Sequence, residues 1–361
     1  MSEEEQTRDL QRLSLAQLRS EVTGTPQPWE VHVQLESLLE KQTAAGAPYL
    51  EAKLTDGSDG LLWRIFDNQP AFQEARRLKV GAFVEVQAQW VDAGKYGIEP
   101  KQARLRLLDS QERADLLAGD PKRRALLERD AAEVLACIQA MSDVRLRGLC
   151  EAFWQRHGER FMRCAAAREN HHARRGGLLE HVAQMMRSAC ALASVYPNLN
   201  RDLLLSGVLF HDCGKLWENQ YPEEGFVMGH HLHGEMLGHI SMGLELVNKL
   251  WREICAAPQA ANWEQLEPSN ELVRLHLLHL IASHHGEYEF GSPVLPKTPE
   301  ALALHYIDNL DAKLEMARRV YAGSKELAPG IFERLRPWNR NLIDPLPRID
   351  PQGPSTAQPQ D

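Results

Sequence analysis

The sequence predicts a chain of two parts, a small all-β barrel followed by a larger all-α domain, and three observations carry that prediction. Apolar and polar residues take turns through short runs between Trp29 and Leu108, the period of half-buried strands. From Ser110 the apolar residues recur at helical spacing in long segments, as far as about Arg336,. A length of 361 residues suits about two domains, each with its own core.

Residues 1–28 form an N-terminal extension that opens "MSEEEQTRDL". It is acidic and lacks the basic and apolar regions of a secretion signal. The first domain, 29–109, reads as strands in "WEVHVQLESLLEK", "PYLEAKLTDG", "DGLLWRIFDN" and "KVGAFVEVQAQWVDAGKYGIEPKQARLRLL", with the helical "QPAFQEARRL" inserted after the third run. Five short strands with one helix is the pattern of an OB-like barrel, a fold often used to hold oligonucleotides; another small β-barrel stays open as the alternative. The second domain, 110–336, is all-α, with segments such as "LLEHVAQMMRSACALASVY", "RDLLLSGVLFHD", "ELVRLHLLHLIASHH" and "PEALALHYIDNLDAKLEMARRVYA". Residues 337–361, rich in Pro and polar residues, are expected to be a disordered tail.

A formal net charge of −9 excludes a protein coated in positive charge for nucleic acid, so any polyanion site has to be local. Six cysteines without a CxxC pair suggest neither a zinc ribbon nor a disulfide framework, and a reducing cytoplasm is the expected location. No apolar run approaches the roughly 18 residues of a membrane span.

The chemistry is concentrated in histidine. Of fifteen histidines, most lie between His171 and His305, in "NHHARRGGLLEH", "FHDCGK", "GHHLHGEMLGHI" and "ASHHGEYE". His211 and Asp212 end the apolar run Leu203 to Phe210. A buried imidazole and carboxylate each need a partner or are desolvated at a cost of several kcal/mol. A metal ion supplies that partner, and ligands drawn from several helices are how helical bundles build such sites. Asp308 and Asp311 are three apart on one helical face, so either can point into the same cavity. His276, His279 and His305 read as hydrogen-bonded core residues, and His230, His231 and His233 as a loop cluster outside the ligand set; His32 and His157 stay unassigned. The segment Val144 to Gly177 is locally basic, with Phe153, Trp154 and Phe161 at helical spacing that reads as core.

The order His181, His211-Asp212, His239, His284-His285, Asp308 resembles the HD phosphohydrolase superfamily, all-α metal-dependent hydrolases of phosphate esters. The words "NHHARRGGLLEH", "LLLSGVLFHDCGK", "GEMLGHI" and "SHHGEYEFGSPVLPKTPEALALHYIDNLDAK", behind an OB-like segment, are similar to the YhaM-type 3′→5′ exoribonucleases. The similarity covers roughly Trp29 to Arg319. It departs at Cys213, where aliphatic residues are usual, and at Arg174 and Arg175.

The resemblance implies an HD domain behind the barrel and cleavage of single-stranded RNA or DNA to 5′-mononucleotides. It implies one or two divalent ions, manganese foremost, no membrane partner, and a chain compatible with a homo-oligomer. Hydrolysis needs an activated water and a cation to neutralise charge on the phosphate. His181, His211, Asp212 and Asp308 would hold one ion, and Asp212 would bridge to a second held by His239, His284 and His285. Asp212 and Lys215 would be catalytic, Lys215 as a point charge on a phosphate oxygen. His171, His172, Arg174 and Arg175 would bind substrate, the arginines guiding the phosphate backbone. Two other readings stay open: a phosphohydrolase acting on a small nucleotide, although the GYP word of cyclic-dinucleotide phosphodiesterases is missing, and a non-catalytic OB-fold binding protein.

Overall fold

In the computed structural model, residues 10–94, 97–168, 172–219, 221–323, 326–335 and 339–346 are described. The alternating text folds into an antiparallel sheet ordered β4-β3-β2-β5-β6, formed by β2 (Gln27–Gln42), β3 (Pro48–Thr55), β4 (Gly60–Phe66), β5 (Phe83–Asp92) and β6 (Ile98–Leu107). The long β2 pairs with β5 through Gln27–Gln34 and with β3 through Gln34–Gln42. A register shift between Leu35 and Ser37 marks the change of partner, and a bulge there bends the strand so that one strand serves both neighbours. Val31, Val33, Leu35, Leu50, Leu54, Ile65, Val84, Val86 and Trp90 fill the interior. Helix α2 (Ala71–Arg76), inserted between β4 and β5, adds Ala71, Phe72 and Ala75 to it. The arrangement agrees with the expected small OB-like barrel.

Two boundaries move. The stretch before Trp29 belongs to the barrel: β1 (Gln11–Arg12) pairs parallel with β2, and α1 (Leu15–Glu21) buries Leu15 and Leu18 in the barrel core. The reason is local, since Ser14 and Gln17 close a capping box that starts the helix,. At the other end, β7 (Glu326–Ala328), β8 (Ile331–Leu335) and β9 (Arg340–Ile343) form a three-stranded antiparallel sheet. The expected tail therefore contributes a strand, anchored by buried Leu342 and by the Tyr321 hydroxyl donating to the Ile343 carbonyl at 3.0 Å. Residues 347–361 lie outside the described residues.

The helical part comprises α3 (Ser110–Ala118), α4 (Pro121–Gln139), α5 (Val144–Arg163), α6 (Gly177–Val195), α7 (Arg201–Phe210), α8 (Lys215–Glu218), α9 (Leu232–Cys255), α10 (Asn270–Ser283) and α11 (Pro299–Gly323). Its centre is α7. Asn200 caps its N-terminus by accepting from the Leu203 amide, and every residue from Leu203 to Phe210 is buried. Burying one such side chain stabilises the fold by roughly 1.5–3 kcal/mol, so this run fixes α7 between α6, α10 and α11 and carries whatever follows Phe210 to the middle of the domain. Among the described residues, no helix is long and apolar enough to cross a membrane.

The two parts meet at Phe226, which is packed with Phe83 and Leu108 while its amide donates to Gln34 Oε1 at 2.7 Å. Beside this contact lies a cleft of about 650 Å³ whose lining includes Arg12, His32, Arg123, Arg124 and Phe226.

Candidate metal centre

His211 and Asp212 sit at the buried end of α7, with His211 completely enclosed. The turn that follows is closed tightly by α9. A Cβ on Gly214 would lie 1.9 Å from the His239 carbonyl oxygen, so only glycine lets the two segments approach,. Helix α9 is itself broken at Gly238, whose φ of +68° interrupts the helical path immediately before His239. His181 lies in the first turns of α6, His284 and His285 follow the end of α10, and Asp308 and Asp311 project from α11. Five segments distant in sequence thus converge.

Each ligand-type histidine is held by its Nδ1 atom. His211 Nδ1 bonds to the Val208 carbonyl at 2.8 Å, His284 Nδ1 to the Ile281 carbonyl at 2.8 Å and His285 Nδ1 to the Phe290 carbonyl at 2.7 Å. His239 Nδ1 meets Glu218 Oε2 at 3.1 Å, and His181 Nδ1 meets Asp311 Oδ2 at 2.7 Å. An oxygen at Nδ1 fixes the tautomer and leaves the Nε2 lone pair for another partner.

Those Nε2 atoms face carboxylates. His181 Nε2 is 3.3 Å and His211 Nε2 4.0 Å from Asp308 Oδ1. Asp212 divides its two oxygens: Oδ2 lies 3.3 Å from His211 Nε2 and accepts from Lys215 Nζ at 2.7 Å. Oδ1 lies 3.5 Å from His239 Nε2 and 3.7 Å from His284 Nε2. His181, His211 and Asp212 offer ligand atoms within 4.8 Å of one another, as do His239, His284 and His285. One carboxylate therefore touches both groups.

The charges follow from this packing. Burial alone would raise the Asp212 carboxyl, but the Lys215 ammonium and the His211 ring hold it well below the usual carboxylate range. Asp308 is likewise lowered against its burial, chiefly by His181. Burial disfavours the His181 imidazolium, yet Asp308 and Asp311 outweigh it and raise that ring to about 9. Burial pushes His284 and His285 down, so both are neutral donors.

The fit of a divalent cation rests on atoms that otherwise make no sense in a packed interior. Among the described residues, His211 Nε2, Asp212 Oδ1, His239 Nε2 and His284 Nε2 are buried without a hydrogen-bond partner, each worth about 1–3 kcal/mol if left so. They point at one place, and a nitrogen-rich set with carboxylates suits a first-row divalent ion. Another candidate group, Glu30, His32 and Glu85 in the barrel, differs. Arg106 is ion-paired with Glu85, and Arg12 with Glu30, so its negative charge is already compensated.

The fold brings His181, His211, Asp212, His239, His284, His285 and Asp308 together and places Lys215 on Asp212 with only 8% of its surface exposed. The residues expected to bind substrate are placed otherwise. His172 is completely buried and bonds Asp311 at 3.0 Å, so it braces the carboxylate behind His181. Arg174 is ion-paired with Glu180 and Glu315. Arg175 donates to the Pro222, Glu223 and Gly225 carbonyls. Both guanidiniums thus hold neighbouring segments of the fold together, and His171 lies outside the described residues. The other arginines of this basic stretch are also engaged: Arg145 with Asp143, Arg156 with Glu253 and Arg168 with the Glu218 and Gly229 carbonyls. Phe153 and Phe161 are core. His230 and His233 are exposed, and His230 pairs with Glu235 at 2.9 Å. His305 is buried against the His284 carbonyl and His279 accepts from the Lys297 amide.

Two participants had no sequence assignment. Asp311 was visible only as a second acid on the Asp308 face, and Glu218 carried no signal beyond its place at the end of "FHDCGKLWE".

Residues 178–313 match the HD domain family. The match spans all seven of the gathered ligand-type residues together with Glu218 and Asp311. It supports a metal-dependent phosphohydrolase of the HD superfamily.

Proposed function

We propose that this protein is a metal-dependent 3′→5′ exonuclease that shortens single-stranded RNA, and single-stranded DNA, to 5′-mononucleotides, with the seven residues above as its ligands and manganese as the first ion to test. The observation that carries the reading is the division of Asp212, one oxygen toward His211 and the other toward His239 and His284, so that both histidine groups would share this carboxylate in holding divalent metal. Divalent ions held there supply an acidified water and neutralise charge on the phosphate and leaving oxygen.

The chain's own residues do the rest. Asp311 and Glu218 keep the His181 and His239 rings turned with Nε2 inward. Lys215 balances Asp212 and stands beside the place where a phosphate oxygen would add negative charge. An incoming strand would meet the cleft at the barrel junction, where Arg124 is exposed in the lining, while Arg12 and Arg123 there are ion-paired with Glu30 and Glu180,. The barrel would hold the strand while the helical domain cuts it.

The test is laddering of a 5′-labelled single-stranded oligonucleotide with added Mn²⁺. Stepwise shortening from the 3′ end with release of 5′-mononucleotides is expected, and it should persist on the 2′-deoxy substrate. Phosphate release from mononucleotides without shortening would favour a nucleotide phosphohydrolase, and retention without cleavage a binding protein. A 2′,3′-cyclic product would mean that the ribose hydroxyl is the nucleophile.

A further inference from the structure

The gathered residues are closed in on one side and open on the other. His181, His211, Asp212 and His284 have at most 2% of their surface exposed, whereas His239, His285 and Asp308 are only partly buried. The His239 and His285 rings stand together on the open side, with centroids 5.1 Å apart. The chain next to each ring carries exposed apolar side chains. Tyr288 and Phe290, just after His285, are 65% and 59% exposed, and Met236 and Leu237, just before the Gly238 kink, are 72% and 51% exposed. Large apolar side chains left in water as a group mark a surface that binds something.

The two aromatic residues are also held in place. They belong to a single 3-10 turn, Tyr288–Phe290, in which the Phe290 amide donates to the Glu287 carbonyl at 3.1 Å and the Gly291 amide to the Tyr288 carbonyl at 3.0 Å. The Ser292 amide closes the turn on the Glu287 carbonyl at 3.2 Å. The turn lies against a ligand-type ring: the Phe290 carbonyl accepts from His285 Nδ1 at 2.7 Å, and a Cβ on Gly291 would stand 4.0 Å from the same nitrogen. Two exposed rings are thus fixed beside the open edge of the site.

We propose that Tyr288 and Phe290 are a stacking platform for the bases at the 3′ end of a single strand, holding its last phosphodiester at the metal centre. The proposal deepens the exonuclease reading and rests on it. Every base has a flat π-face, so aromatic rings hold a strand without reading its sequence. Glu287 and Glu289, on either side of Tyr288, are exposed and repel phosphates, which leaves the bases as the part of the strand that can lie on this turn. The phosphates are then met by Lys215 and the metal site instead. Tyr288 and Phe290 bind and position; neither takes part in breaking the bond.

The test uses the full-length protein with Mn²⁺ and a single-stranded oligonucleotide that carries 2-aminopurine as its 3′-terminal base, with phosphorothioate linkages that resist cleavage for the binding arm. The wild type should quench the 2-aminopurine fluorescence. Tyr288→Ala and Phe290→Ala should each relieve the quenching and weaken binding about tenfold, and on the cleavable strand the loss should fall on KM rather than kcat. The slope of affinity against salt should not change, because no phosphate contact is lost. Tyr288→Phe and Phe290→Tyr, which keep the rings, should restore binding. Unrelieved quenching with an unchanged KM, a shallower salt slope, or weaker Mn²⁺ binding by the alanine variants would overturn the proposal, the last because the turn would then serve only to support His285. Loss of self-association in sedimentation with oligonucleotide binding intact would give the two rings to a second copy of the chain. A wild type that shortens the strand as well as its alanine variants do sinks the platform alone; a wild type that takes up Mn²⁺ but neither binds nor shortens the strand sinks the exonuclease reading with it.

Discussion

Asp311 shows how much of a metal site lies behind its ligands, because its Oδ2 is shared by His181 at 2.7 Å and His172 at 3.0 Å. Asp311→Asn should leave the ligand count intact but loosen the ring it orients, weakening metal affinity about 10–100-fold, measured by titration with Mn²⁺ after chelation. Asp212→Asn should go further and abolish cleavage, since it weakens the carboxylate that faces both histidine groups. A pH dependence follows from His181. In the metal-free chain its ring keeps a proton up to about 9, whereas an ion needs that lone pair. Affinity should therefore rise about tenfold per pH unit between pH 7 and 8.5 and flatten beyond about 9; a flat profile over that range would show that His181 is not protonated there. His284 and His285, lowered below their ordinary value, are neutral throughout the window and do not contribute. At this scale the histidine and aspartate types and their order were readable in the sequence, His211 and Asp212 because they end an apolar run and the others through the resemblance that their order carries. Glu218 and the use of Arg174 and Arg175 were not, because those partners meet only after helices far apart in sequence have packed.

Among the elements, α9 depends most on a single backbone angle. Gly238 is at φ +68°, and a Cβ there would meet nothing within 4 Å, so Gly238→Ala tests strain alone. It should cost about 1–2 kcal/mol and shift His239, seen as a lower melting temperature together with weaker metal binding; unchanged metal affinity would mean that the kink does not aim the ring. Gly214→Ala is the harsher change, since the new Cβ would collide with the His239 carbonyl, and loss of at least about 3 kcal/mol is expected. The strands of the barrel and the long helices were legible from period alone. The ends were not: β1 and α1 look like an acidic leader until Leu13, Leu15 and Leu18 are seen filling the barrel, and β9 hides in Pro-rich text because pairing with β8, rather than its own composition, makes it a strand.

Across the whole molecule, the barrel and the helical domain are joined by more than a linker, through Phe226, Phe83 and Leu108. If the junction cleft carries the strand, replacing Arg124 by alanine should weaken binding of all single-stranded sequences alike and make the salt dependence shallower; an unchanged slope in a filter-binding series would put the phosphates elsewhere. Phe226 also lies on the same stretch of chain as His239, with the Gly238 kink just before the ring. Seating of the phenyl ring at one end and capture of an ion at the other are then two events on one tether, and thermodynamic reciprocity applies to them: whatever factor the docked barrel adds to ion affinity, the ion must add to docking. Phe226→Ala, a change that touches no ligand, should therefore lower Mn²⁺ affinity, and a chelator should loosen the barrel, so that the supply of metal would set how firmly the β-domain is held to the helical one.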